Sequence, residues 1–211
     1  MTFGYYQIPT KADPTGYYNY NGSNLAERPL FNCASVVYHE LVPGHHFQIN
    51  LQSENESLPM FRREGEHTAF LEGWAEYASG LAEEMGMYQD AYELYGRLAA
   101  EMFLTVRLVV DTGMNYYGWP RSKAVEFMKA NLLESDTQIF TESLRYSCDI
   151  PGQALAYKIG STKIRALREK AKEALKDKYD VRKFHAAVLG SGSMPMTVLE
   201  QHIDWFIHSA E

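Results

Sequence analysis

The residues best placed to do chemistry lie in Tyr38-His39-Glu40-Leu41-Val42-Pro43-Gly44-His45-His46-Phe47-Gln48. In a zinc-protease helix two histidines four apart bind the metal from one face, and the Glu after the first polarises a water. Here the second His stands six or seven positions after His39. On an ideal helix, at about 100° per residue, His46 returns to the face of His39 but about 10 Å along it, and His45 points elsewhere. Pro43 changes that geometry: it lacks an N–H, and its ring collides with the carbonyl four residues earlier, which is that of His39. With Gly44 beside it, the backbone can bulge and absorb two residues, which returns His45 to where a fourth-position His would stand. His45 is therefore preferred to His46 as the second ligand.

A third ligand has to come from another element. Phe70-Leu71-Glu72-Gly73-Trp74-Ala75-Glu76-Tyr77-Ala78 offers a carboxylate in apolar company, 33 residues after His39, and Gly73 lets another backbone approach closely. Glu72 is preferred, while Glu76, one turn on, could ligate instead or orient a ligand histidine. Three protein ligands with an open position for water make a catalytic zinc site, and Glu40 is then the general base. The expected activity is zinc-dependent hydrolysis of peptide bonds in short peptides. Its rivals are a non-catalytic peptidase-fold binding module with a structural metal, and a hydrolase of a non-peptide amide. A fourth protein ligand such as His46 would mark the structural site. His67, His185, His202 and His208 have no comparable context and read as surface or core residues, with His67 close enough in sequence to Glu72 to line the site.

The elements that must carry these residues are helical. Residues 4–30 read as irregular, with a short extended pair around Gly16-Tyr17-Tyr18-Asn19-Tyr20 that could form a hairpin on the substrate side, because Pro9, Pro14, Asn21-Gly22 and Pro29 punctuate the segment. From Asn32, a candidate N-cap, apolar residues recur at three and four, so His39-Glu40 sits on a helix. Further helices are predicted over 64–85, 90–117, 122–131, 136–147, 152–176, 181–189 and 196–207. The expected fold is mainly α, an irregular segment over 1–30 leading into a helical domain over 31–211. No alternating strand pattern follows residue 30, no repeat period appears, and the charged run 165–178 reads as a solvated helix face.

Bulk properties narrow the partners. The 211 residues are 45% hydrophobic and 22% charged, an ordinary globular balance, with net charge −7 and pI near 5.5. That charge gives no footprint for nucleic acid or acidic membranes. No run of apolar residues is long enough to span a membrane. The two cysteines, Cys33 and Cys148, form no CxxC pair; they read as buried thiols, or else as one disulfide. The Tyr, Gly, Pro and Asn-rich opening has nothing before it to pack against, which suggests part of a longer protein.

Four blocks together resemble the family called domain of unknown function 885. They are His39-Glu40-x-x-Pro43-Gly44-His45-His46-x-Gln48, Glu72-Gly73-Trp74-Ala75-x-Tyr77, Arg107 to Gly113, and Pro151-Gly152-Gln153-Ala154-Leu155-Ala156-Tyr157. The resemblance implies a mainly helical, zinc-peptidase-like protein at least about twice this length, of which this chain is the C-terminal part. It implies distant kinship with the gluzincin peptidases, among them the angiotensin-converting enzyme and the helical oligopeptidases. Part of such a peptidase could bind metal without turning over substrate. Many members carry His where this chain has Asn115, whose amide could still hydrogen-bond substrate. By analogy with the Arg-Tyr pair of the angiotensin-converting enzyme, Tyr146 is the candidate oxyanion donor, with Tyr157 as runner-up. Arg145 is the candidate to hold a substrate carboxylate or orient the Tyr. The compartment stays open between bacterial periplasm and cytoplasm, and the oligomeric state is unassigned.

Overall fold

The computed structural model describes residues 3–10 and 12–210. Residues 1, 2, 11 and 211 lie outside the described residues, and with them the outer ends of the segments drawn at 1–30 and 31–211. A two-stranded antiparallel hairpin comes first, β1 (Gly4–Gln7) against β2 (Tyr17–Tyr20), with Gly4 opposite Tyr20 and Gln7 opposite Tyr17. The helices that follow are α1 (Cys33–Glu40), α2 (His45–Glu54), the single turn α3 (Met60–Arg63), α4 (Thr68–Glu84), α5 (Ala91–Asn115), α6 (Arg121–Asn131), α7 (Asp136–Leu144), α8 (Leu155–Leu175), α9 (Val181–Leu189) and α10 (Met196–Ala210). The chain is mainly helical, as its periodicity predicts. None of the described helices is long and apolar enough to cross a membrane.

Where the helices start and stop follows local hydrogen bonding. Asp90 caps α5 by accepting from the N–H groups of Tyr92 and Glu93, and Ser135 and Asp180 cap α7 and α9 in the same way. Asn32 precedes α1 without a side-chain cap, because a 3-10 turn over Leu30–Asn32 leads directly into the helix. The helix predicted from residue 64 starts at Thr68 instead. The carbonyl of Gly65 is taken by Gln52 Nε2 at 2.8 Å and Ser193 Oγ at 2.6 Å, so this stretch feeds buried side chains rather than a helix ladder. The helix predicted to run to residue 147 widens after Leu144 into a π turn, Arg145–Asp149, in which Ile150 N–H reaches the Arg145 carbonyl at 3.0 Å. Cys33 and Cys148 are both free and exposed, at the first turn of α1 and in the π turn, which corrects the expectation of buried thiols.

Among the described residues two larger apolar clusters hold the helices, with a small third one of Phe103, Leu104 and Tyr157. The larger joins α4, α8, α9 and α10 through side chains such as Phe70, Trp74, Ile164, Phe184, Leu199 and Ile203, all 1% exposed or less. Each contributes on the order of 1.5–3 kcal/mol by leaving water. The smaller of the two joins α5, α6, α7 and the π turn after it through Val110, Met128, Ile139 and Tyr146. Helices α4 and α8 cross where Gly73 faces Gly160: a Cβ on Gly73 would lie 2.5 Å from the Gly160 Cα, and one on Gly160 would lie 2.0 Å from the Ala69 carbonyl oxygen. The close approach foreseen at Gly73 brings the start of α8 up to Glu72.

His185 reports on the larger core. Its Nε2 meets the Tyr77 hydroxyl at 2.7 Å among the rings of Trp74, Tyr77 and Phe184. Burial, then the nearby Arg168 charge, pushes its pKa from 6.5 down to about 4. Between those values the unfolded chain binds a proton that the folded chain refuses, so stability is full above pH 6.5 and falls as pH drops toward 4. Full shielding would make this about 3 kcal/mol, and partial exposure reduces it to about 2 kcal/mol. Urea unfolding at pH 7 and pH 4.5 should show this slope, and His185→Gln should flatten it; an unchanged slope in the variant would assign the effect to other groups.

Candidate metal centre

His39 lies in the last turn of α1, and the chain then breaks. Residues 41–44 are non-helical, and α2 starts afresh at His45, so the bulge expected within one helix is a break between two. Packing fixes that break. Trp74 Nε1 donates to the Pro43 carbonyl at 2.9 Å, and a Cβ on Gly44 would lie 1.8 Å from the His39 carbonyl oxygen, so only glycine fits. The consequence for His45 is the one a bulge would have had. Its ring sits 4.8 Å from that of His39, and His45 Nε2 is 3.2 Å and His39 Nε2 3.5 Å from Glu72 Oε2.

Those three ligand atoms lie within 4.8 Å of one another. The donor set fits zinc: around a tetrahedral ion with bonds near 2.0–2.1 Å, ligand atoms stand about 3.3 Å apart, close to both His–Glu separations. Burial by itself would raise the Glu72 pKa, but hydrogen bonds from His39 and His45, with their charges, outweigh it and hold the carboxyl far below the usual range. Burial would likewise lower that of His39, and the Glu72 hydrogen bond with the charges of Glu40, Glu72 and Glu76 raises it instead. His45 Nδ1 and, three residues on in α2, Gln48 Oε1 are buried without a hydrogen-bond partner.

The cluster opens on a cavity of about 450 Å³ whose wall includes Glu40, Glu76, Arg107, Arg145 and Tyr157, a size typical of small-ligand sites. The hairpin foreseen on the substrate side lines it through Gly4, Tyr5 and Tyr6, and Tyr6 N–H donates to Glu40 Oε2 at 2.8 Å. His46 turns away from His39 and Glu72: its Nδ1 meets the Tyr6 hydroxyl at 2.9 Å, with Asn50 Nδ2 beside it. Glu76 is buried at the cavity wall against Arg97 at 3.5 Å, outside the three-residue group. Among the described residues no fourth His, Cys, Asp or Glu joins that group.

Tyr146, the candidate oxyanion donor, does not face the cavity. Tyr146 is 1% exposed in the smaller core and absent from the cavity wall; its hydroxyl donates to Glu142 and accepts from Arg107 Nε at 2.6 Å. Tyr157, the runner-up, lines the cavity. It stacks 6.0 Å from the His39 ring, and its hydroxyl accepts from Gln153 Nε2 at 2.9 Å, which leaves the phenolic proton to donate. Burial, and then Glu72, pushes its pKa up to about 12, so that proton stays on at neutral pH. Asn115 is absent from the cavity wall, and its amide donates to Asp111 Oδ1 and the Tyr146 carbonyl, both at 3.0 Å. Of the other histidines, His202 bonds the Ala187 carbonyl, His208 the Asp204 carbonyl, and His67 leads into α4 without lining the cavity.

The profile of the family described as "Bacterial protein of unknown function (DUF885)" matches residues 1–203. The chain belongs to that family. A solved candidate lipoprotein from Colwellia psychrerythraea is similar to it at 39% identity and a TM-score of 0.94, over 99% of this chain and 36% of that one. A candidate lipoprotein of unknown function from Shewanella oneidensis shares the fold at 22% identity and a TM-score of 0.78, over 93% of this chain and 38% of that one. This chain therefore spans under two-fifths of either structure. No curated protein matches it.

In this DUF885 chain the block Pro151 to Tyr157 supplies two residues whose joint role spacing does not reveal. Gln153 Nε2 donates to Glu72 Oε1 at 2.9 Å as well as to Tyr157, so one amide holds both the Glu72 carboxylate and the Tyr157 hydroxyl. The turn that carries Gln153 is tied down by Gly152 N–H on the buried Asp111 carboxylate, at 2.9 and 3.1 Å. A glutamine one turn before a tyrosine at the start of a helix was the available signal, but its target lies 81 residues away in sequence.

Proposed function

We propose that this chain carries the zinc site of a metallohydrolase that cleaves peptide bonds in short peptides, with His39, His45 and Glu72 as ligands. The observation that carries the reading is the convergence of those three ligand atoms within 4.8 Å, at the wall of a cavity that Glu40 also lines. When bound there, zinc supplies Lewis acidity toward a water and an amide carbonyl. Glu40 takes the proton from the attacking water and returns it to the leaving amine. Tyr6 N–H fixes its Oε2, so Oε1 is the oxygen that exchanges the proton. Tyr157 donates its phenolic proton to the carbonyl oxygen as charge develops there. Gln153 acts through both, holding Glu72 by Oε1 so that Oε2 faces the histidines, and fixing the Tyr157 hydroxyl.

Zinc titration of the purified chain against a chromophoric chelator tests the reading first. One zinc per chain, lost in a Glu72→Ala variant, is expected; no zinc uptake above background would sink the proposal. Activity is then read in the full-length protein. Tyr157→Phe should lower kcat about a hundredfold with zinc affinity unchanged. Tyr146→Phe should instead cost about 1–3 kcal/mol of stability, because it strips Glu142 and Arg107 of a buried partner. The reverse pattern would restore Tyr146 to the site.

A further inference from the structure

We infer that Gln48 positions His45 for the metal: its Oε1 accepts the hydrogen that His45 carries on Nδ1 when Nε2 serves as the ligand atom. This rests on the metal centre proposed above and adds to it a residue that lies outside the cavity wall.

The buried residues of α2 are Gln48 and Gln52, at 2% and 5% exposure, where a core-facing stripe is ordinarily apolar. Counted from His45 they stand three and seven positions on, along one face of the helix. Buried amides are costly unless their donors and acceptors are used. Gln52 is used at both ends. Its Nε2 donates to the carbonyls of Gly65 at 2.8 Å and Arg63 at 3.2 Å, and its Oε1 accepts the Ser193 N–H at 2.8 Å. Those backbone partners fix which end of the Gln52 amide is oxygen. Gln48 must then present its amino end to that oxygen, and its Nε2 donates to Gln52 Oε1 at 2.9 Å. The Gln48 carbonyl oxygen is thereby turned away from Gln52, and it is buried with no donor among the described residues.

His45 has the complementary defect. Its Nε2 lies 3.2 Å from Glu72 Oε2, on the side where the three ligand atoms converge. An imidazole that gives the Nε2 lone pair to a metal carries its proton on Nδ1. His45 Nδ1 is buried with no hydrogen-bond partner among the described residues. A buried donor and a buried acceptor, one helical turn apart on the same face, each lack what the other offers. Ligand histidines ordinarily give this proton to a carboxylate, a backbone carbonyl or water, which fixes the tautomer and the ring plane. Here a side-chain amide takes that place. It is braced in turn through Gln52 to the backbone at Arg63, Gly65 and Ser193, so the second ligand is tied to the chain on either side of α3 and to the turn between α9 and α10.

Competition with a chromophoric chelator measures zinc affinity in the purified chain. Gln48→Leu, similar in volume but without an acceptor, should bind zinc about tenfold to a hundredfold more weakly. Gln48→Glu keeps an oxygen for Nδ1 and should bind within a few-fold of the unaltered chain, a rescue that a mere packing role would not produce. In the proton spectrum of the zinc-loaded chain, a downfield imidazole N–H resonance should persist in Gln48→Glu and move upfield in Gln48→Leu. Unchanged affinity in Gln48→Leu, equal weakening in Gln48→Glu, or an N–H resonance indifferent to both substitutions would overturn the role of Gln48 and leave the metal centre standing. Should Gln48→Leu fail to fold, Gln48→Met takes its place with the same readouts. If the unaltered chain takes up no zinc, the metal centre and the role of Gln48 fall together.

Discussion

Glu40→Gln should bind zinc as tightly as the unaltered protein, within a few-fold, and hydrolyse peptides about a thousandfold more slowly, with the loss in kcat. Glutamine has the shape of glutamate and can still accept the Tyr6 N–H through its amide oxygen, so the hairpin and cavity wall should keep their places. What it cannot do is take a proton from water and hand it to an amine. Because Glu40 is not in the three-atom cluster, metal binding and chemistry separate cleanly at this residue. A variant that hydrolyses peptides within about fivefold of the unaltered protein would remove Glu40 as general base. A variant that loses zinc would mean that Glu40 holds the metal.

His39, Glu40 and Glu72, which the structure brings to one cavity wall, stand out in the sequence for a chemical reason: a carboxylate or imidazole among apolar residues is costly to bury unless something repays it. The hairpin was legible for a different reason, because turn residues and a Tyr-rich pair mark it locally. The misreadings around the site involve partners distant in sequence. A break and a bulge at Pro43-Gly44 look alike until Trp74, 31 residues on, binds the Pro43 carbonyl. Tyr146 and Tyr157 both follow Glu72 in helical surroundings, and only packing shows that one is spent on Glu142 and Arg107 while the other faces His39. Gln153 could not be given its role at all, since its amide works on a carboxylate across the α4–α8 crossing. Helix starts failed likewise wherever a remote side chain captured a backbone group, as Gln52 and Ser193 do at Gly65.

The adjacent histidines provide the other large effect. His45→Ala should weaken zinc binding by more than about a hundredfold, beyond what loss of an outer-shell partner causes, since it removes one of three proposed ligands. His46→Ala should change zinc affinity less than about tenfold. It should nonetheless lower kcat, because His46 holds the Tyr6 hydroxyl, and the Tyr6 backbone holds Glu40. Tyr6→Phe removes that hydroxyl while keeping the backbone N–H, so it should reproduce the kinetic defect of His46→Ala and leave zinc binding intact. The pair of variants therefore distinguishes a ligand from a residue that positions the general base through the hairpin. If His46→Ala loses zinc and His45→Ala keeps it, the Pro43-Gly44 break presents the other imidazole to the metal, and the arrangement argued from His45 Nε2 and Glu72 Oε2 is wrong.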